Sequence, residues 1–326
     1  MLAHRKQHRR IQAPKRIAIA WMVTLVSSFT GAVFAQAPAF VSIGTASASG
    51  AYYPLGVAMA DLWNRAIPGT RFSAQETGGS VANMNMIAGG EIELGIANEN
   101  IAWDAQQANA PFTGPIDLLG GWVLNKSYGV FVAAASSNIA SLSDLAGKKV
   151  ALGAPGSSAN LMGAAVLRSQ GLEEGDYSVV YMGWQESADA IADGFIDAAM
   201  MVGGQPFPAI ESLAVRTPVR LLSFDASLLA NLEGFPLSGA PTPEGIYGTT
   251  EQGTQLVIRS NIYIAPELDE DLVYQMVKTV FENVPVLESA HPSGGEAELF
   301  SRAYAEQLGI AMHPGVIRYA TEVGAW

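Results

Sequence analysis

The strongest constraint on this chain is an alternation of short apolar strands, small-residue loops and helices that runs through it twice. Phe40-Val41-Ser42-Ile43 reads as a strand, and GTASASGA as the loop that leaves it. Pro54 suits the first turn of a helix through Ala58, Leu62 and Ala66, because a first-turn residue needs no backbone N–H. Pro68-Gly69 breaks that helix. Arg71–Ala74 is a second strand, TGGSVAN opens a helix around Met84–Ala88, and Ile92–Ile96 alternates as a third strand. The order βαβαβ specifies a parallel sheet wrapped by helices.

The same order recurs downstream. Lys149–Leu152 reads as a strand, GAPGSSAN as its loop, and Leu161–Arg168 as a helix. Ser178–Tyr181 is the next strand, followed by the loop MGWQES, a helix over Ala188–Ala192 and a strand at Ala198–Val202. Each unit closes on Gly-x-Ile-acid, as Gly90-Glu91-Ile92-Glu93 and Gly194-Phe195-Ile196-Asp197. Two lobes of similar architecture account for the 326 residues.

Six basic residues precede residue 17, and no acidic residue precedes Asp61. A basic head, an apolar run from Ile17 to about Val33 and the small-residue site Val33-Phe34-Ala35 make a secretory signal, cleaved near Ala35. The apolar run is broken by Thr24, Ser27, Ser28, Thr30 and Gly31, which suits a signal better than a membrane anchor. Cleavage takes the net charge from −12 to −18 and predicts a periplasmic, acidic, monomeric protein without a nucleic-acid footprint.

The expected organisation is a signal peptide at 1–35, one lobe from 36–130 plus 249–326, and a second lobe from 131–248. Leu256-Val257-Ile258 reads as a strand, Glu267–Phe281 as a strong helix, and the helical tail to Trp326 is expected to pack back on the first lobe. A chain that leaves one lobe, builds another and returns leaves a cleft suited to hinge closure.

Several chemistries are excluded. There is no cysteine, hence no disulfide, Cys-ligated metal or thiol nucleophile. Beyond residue 35 only His291 and His313 remain, each followed by Pro, and they are expected to cap or end helices. Gly78-Gly79-Ser80-Val81-Ala82 lacks the last glycine of a nucleophile elbow, and no phosphate-binding glycine motif follows a strand. No catalytic group, metal or cofactor is expected.

What remains is a set of Gly- and Ser-rich loops between strand ends and helix starts, where parallel α/β sheets bind ligands. The candidate ligand-binding residues are Ser47, Ser49, Tyr52, Tyr53, Thr77, Gly78, Gly79, Ser80, Asn83 and Asn98 in the first lobe. In the second lobe they are Gly156, Ser157, Ser158, Trp184, Gly204 and Gln205. Any one of these loops is explained by helix capping alone; their recurrence at equivalent strand ends of two facing lobes points to a ligand. None of the Lys and Arg residues beyond residue 35 lies in these loops. An anion there has to be held by backbone N–H groups and hydroxyls.

The runs IGTASASGAYYPLG, ETGGSVANMNMIAGGEIELGIANEN, SLSDLAGKKVALGAPGSS, ADGFIDAAM with GGQP, and HPGVIRY together resemble one family. It is the TAXI subgroup of extracytoplasmic solute receptors of tripartite ATP-independent periplasmic (TRAP) transporters. The resemblance implies a two-lobed type II periplasmic-binding-protein fold with a cleft between the lobes. It also implies capture of a small carboxylate, a glutamate-like amino acid or dicarboxylate, and delivery to integral-membrane TRAP permease subunits. The chain departs from the family at Gly156-Ser157-Ser158-Ala159, where relatives usually read Gly-Ser-Gly-Thr. The alternative is a secreted enzyme on the same kind of fold, since fold does not fix function.

Overall fold

The computed structural model describes residues 40–232 and 234–326, so the signal expected at 1–35 lies outside the described residues. In the first half of the sheet, β1 (Phe40–Gly44) pairs in parallel with β2 (Arg71–Gln75) and β3 (Leu94–Asn98). Helices α1 (Tyr52–Ala66) and α2 (Ser80–Ala88) cross between them, and α3 (Glu99–Gln107) follows directly. After β4 (Leu119–Ala134), the pattern repeats. Here β5 (Lys149–Ala151) pairs in parallel with β6 (Ser178–Val180) and, after it, β7 (Ala198–Gly203). The crossovers are α4 (Ser158–Ser169) and α5 (Trp184–Ala192), with α6 (Pro208–Arg216) following β7.

The chain continues through the short strands β8 (Val219–Leu221) and β9 (Ser238–Pro241) into β10 (Thr254–Ile264). The tail comprises α7 (Glu270–Phe281), α8 (Val284–Ala290), β11 (Glu298–Leu299), α9 (Arg302–Leu308) and α10 (Pro314–Glu322). Its buried side chains, among them Val273, Val277, Tyr304 and Val316, share one core with Ile43, Leu55 and Trp63. The tail therefore packs against β1 and α1.

The main strand order is β2-β1-β3-β10-β4-β7-β5-β6. The two central strands run through both lobes. On β4, Trp122–Leu124 belong to the first core, whereas Phe131 and Ala133 belong to the second. On β10 the change falls between Ile258 and Ile262, where its pairing with β4 shifts register at Ser260 and Asn261. The residues at this crossing are polar and fully buried: Asn125, Ser127, Ser260 and Asn261. Glu99, at the start of α3, accepts from the Arg259 N–H at 3.0 Å and from the Tyr304 hydroxyl at 2.5 Å, which pins β10 beside the crossing.

The repeated Gly-x-Ile-acid motif has the same job in each half. Gly90 and Gly194 take positive φ of 67° and 73° after α2 and α5. Ile92 and Ile196 are buried. The acids then reach back to the first strand of their unit: Glu93 accepts from the Ser42 N–H at 2.7 Å, and Asp197 from the Lys149 N–H at 2.8 Å. Because Glu93 is engaged in this turn, the third strand begins at Leu94, two residues later than the expected Ile92.

Five other boundaries differ from expectation. Helices α2, α4 and α5 start earlier than the apolar periodicity suggests, at Ser80, Ser158 and Trp184, because polar first turns carry no apolar stripe. Strand β10 runs well past Leu256–Ile258. The helix expected from Glu267 begins at Glu270, after the N-cap Asp269, whose carboxylate accepts from the Leu272 N–H. Both histidines act as caps: His291 accepts from the Ser293 N–H, and His313 from the Gly315 N–H at the start of α10.

Candidate functional site

The parallel strands of each lobe end at the same place, and so do the helices that follow them. The N-cap residues of α1, α2, α3, α4 and α5 are Ala51, Gly79, Asn98, Ser157 and Gly183. All five line one cleft of about 90 Å³ between the lobes. Only Ser157 uses its side chain as a cap, accepting from the Asn160 N–H at 3.2 Å. First-turn N–H groups have no acceptor within their own helix, so five sets of donors converge on one small volume. The position fits the rule that ligands sit beyond the carboxyl ends of parallel strands, where the strand order reverses.

Local sequence chemistry builds this arrangement. Gly79 adopts φ of 92°, a conformation that a side chain resists, and this lets the chain turn into α2 immediately after Thr77-Gly78. The Thr77 hydroxyl accepts from the Gly79 N–H at 3.1 Å. Asn83, one turn into α2, is buried and faces away from the cleft. Its amide nitrogen donates to the carbonyls of Gly44, Thr45 and Ile96, and its oxygen accepts from the Thr77 hydroxyl at 2.7 Å. Asn83 therefore ties the end of β1 and the loop after β2 to the middle of β3.

A chain of uncharged hydroxyls runs from the cleft lining into the buried lobe crossing beside it. Ser158 Oγ donates to Ser80 Oγ at 2.8 Å, and Ser80 Oγ accepts from the Asn98 N–H at 3.2 Å. The Asn98 amide nitrogen donates to Ser260 Oγ at 3.2 Å. Ser260 also bonds the Tyr52 hydroxyl at 2.5 Å and Ser127 Oγ. Burial pushes the Tyr52 phenol above its ordinary value, and hydrogen bonds from Ser260, Ser127, Ser80 and Asn98 offset part of that rise. Tyr52 thus stays a neutral hydroxyl. No Lys, Arg, Asp, Glu or His lines the cleft among the described residues.

Trp184 is the wall on the second lobe. It is half-buried and meets Phe207 edge-on, with ring centroids 5.5 Å apart. Gly50, from the opposite lobe, and Gly203 both pack against the ring. A Cβ at either glycine would come within 2.7 Å and 2.8 Å of the indole carbons.

Of the residues singled out from sequence, Ser47, Tyr52, Thr77, Gly78, Gly79, Ser80, Asn98, Ser157, Ser158 and Trp184 line this cleft. The others sit around it. Ser49 bonds Ser47 through its hydroxyl, and Tyr53 is half-buried on α1. Gly156, with φ of 73°, shapes the turn before Ser157. Gly204 packs on Ser293 and Asn125, and the Gln205 amide donates to Gln255 at 3.0 Å. Sequence reasoning missed Ser127 and Ser260, because polar residues inside long strands look like interruptions. It also missed the apolar liners Met182 and Val202. The alternation on either side of Arg259-Ser260-Asn261 was the signal for the first pair. A larger groove of about 970 Å³ lies beside the cleft, between α3 and α4, and contains none of the five N-cap residues.

Residues 43–324 match the model of the NMT1-like family. The chain belongs to the NMT1-like family. Among solved structures, the NMT1-like chain resembles a putative L-cystine ABC transporter protein from Listeria monocytogenes, with TM-score 0.51 and 12% identity over 78% of this chain and 94% of that one. It also resembles the ligand-binding component of an ABC-type import system from Staphylococcus aureus, with TM-score 0.50 and 10% identity over 89% and 93% of the two chains. The periplasmic aliphatic sulphonate binding protein SsuA from Escherichia coli aligns at 17% identity over 88% and 94%, with TM-score 0.48. At such identities the first two establish fold alone. The NMT1-like chain has the two-lobed α/β fold of periplasmic binding proteins.

Proposed function

We propose that this protein is the periplasmic solute receptor of a TRAP transporter, of the TAXI subgroup, and that it captures a small carboxylate between its lobes for delivery to the membrane permease. The observation that carries the reading is the convergence of five helix N-termini on a cleft with no charged side chain. Such a site attracts an anion through partial positive charge and aligned N–H donors, and it offers no general base, nucleophile or metal ligand set for turnover. The motifs quoted above support the TAXI assignment, and the strands that run through both lobes support a hinge between residues 36–130 with 249–326 and residues 131–248.

A solute that binds only the folded state raises the melting temperature, and the rise grows with the logarithm of its concentration above Kd. A thermal-shift screen of mono- and dicarboxylates should therefore give a concentration-dependent rise for at least one of them. A screen in which sulfonates or sugars shift melting and no carboxylate does would refute the ligand class. The transporter type is decided separately by genes beside this one: a multi-span permease without an ATPase supports TRAP, and an ATPase subunit supports the ABC systems named for the structural relatives.

A further inference from the structure

The geometry points to a short 2-hydroxy monocarboxylate as the solute, selected by the Asn98 side chain; the assignment rests on the receptor reading above and narrows it. The first constraint is size. At about 90 Å³ the cleft is well below the ~300–1,000 Å³ usual for drug-sized ligands, which favours a small solute. A solute that outgrows this space needs the lobes further apart, and that separation breaks the hydrogen bond between Ser158 and Ser80.

The second constraint is an acceptor without a donor. Asn98 is 1% exposed and lines the cleft. Its amide nitrogen gives one hydrogen to Ser260, while its oxygen has no hydrogen-bond partner among the described residues. A buried carbonyl oxygen is rarely left this way, because its desolvation goes uncompensated. A solute that brings a donor to Asn98 Oδ1 completes the site, and one that brings a second acceptor or a methyl group leaves it incomplete.

The third constraint is position. The Asn98 backbone N–H donates to Ser80 Oγ, which sets this residue beside the start of α2, where the proposed site would hold the carboxylate. The donor therefore belongs on the carbon next to the carboxylate. It is a hydroxyl rather than an ammonium, because no Asp or Glu lines the cleft to pair with a buried cation. Met182, Val202 and Trp184 leave an apolar wall for a short alkyl group.

Lactate, pyruvate, propionate and alanine are near-isosteric and differ at this carbon, so they test the assignment by titration calorimetry on the purified protein. Succinate and glutamate complete the panel. Lactate is expected to bind roughly tenfold or more tightly than pyruvate, propionate or alanine, the discrimination usual for a site whose buried polar group is left unpaired. Asn98→Ala should erase that preference. If the variant does not fold, the comparison among the four acids on the unaltered protein still decides. Pyruvate or alanine matching lactate, a preference that survives Asn98→Ala, or tighter binding of succinate or glutamate would each overturn the hydroxy-acid assignment and leave the receptor reading intact. Binding of no carboxylate at all would overturn both.

Discussion

Ser158 Oγ donates to Ser80 Oγ over 2.8 Å, joining the first residue of α4 to the first residue of α2 across the cleft. The two hydroxyls are buried, and each sits at a helix N-terminus whose free N–H groups face the same volume. The bond therefore reports lobe closure directly.

Ser158→Ala removes that link without touching either core. A net hydrogen bond contributes about 1 kcal/mol, so solute affinity should fall roughly fivefold while thermal stability without solute changes little. Calorimetry and melting curves on the same preparation check both halves. A large loss of stability with unchanged affinity would make Ser158 a structural residue only.

Trp184 and Gly50 meet from opposite lobes, so they test closure sterically. Trp184→Ala removes apolar contact area and should weaken binding by about 1–3 kcal/mol with the fold retained. Gly50→Ala places a methyl group where the indole must lie and should hold the lobes apart. Small-angle scattering should show compaction on saturation for the unaltered protein and a smaller change for Gly50→Ala; identical compaction of both contradicts the steric argument.

Asn83 is predicted to support the fold rather than the solute. Replacing it by Ala takes a buried donor from the carbonyls of Gly44, Thr45 and Ile96, of which Thr45 keeps the Thr77 hydroxyl. Leaving such groups unsatisfied costs about 1–3 kcal/mol. Urea unfolding of Asn83→Ala should show that loss through a lower midpoint. A stable variant with weakened binding would place Asn83 in direct contact with solute.

The histidines predict a pH dependence. Burial lowers the affinity of His313 and His291 for a proton, offset in part by the carbonyls of Leu268 and Pro206. The Nδ1 of His313 accepts from the Gly315 N–H, and protonation removes that cap. The unfolded chain then binds a proton that the native state resists. Stability from these residues is complete above the ordinary value of 6.5 and declines as pH falls below it. Unfolding measured between neutral and mildly acidic pH should show the decline, and His313→Asn, which keeps a capping oxygen, should reduce it. A flat profile for the unaltered protein over that range contradicts the assignment.

The repeated βαβαβ order was legible in the sequence because apolar strands and Gly-rich loops follow one another in strict alternation. The Gly-x-Ile-acid motifs marked equivalent turns correctly, down to the acid that reaches back to Ser42 or Lys149. The crossing strands were legible only in part. On β4, Gly120-Gly121 and Asn125-Lys126-Ser127 imitate turn signals, although they lie within a strand of 16 residues. Their polarity serves the lobe crossing, where side chains bond one another instead of filling a core. Trp184 was placed in a loop and lies at a helix start, since a first turn is polar for reasons of capping and carries no periodicity.

The central claim is that an anion is held here by helix N-termini and hydroxyls, without a cationic side chain. A crystal structure with the bound solute tests it most directly. The account predicts carboxylate oxygens within hydrogen-bond distance of first-turn N–H groups at Ser80 and Ser158, with every Lys and Arg out of contact. A Lys or Arg side chain bonded to the carboxylate would contradict it.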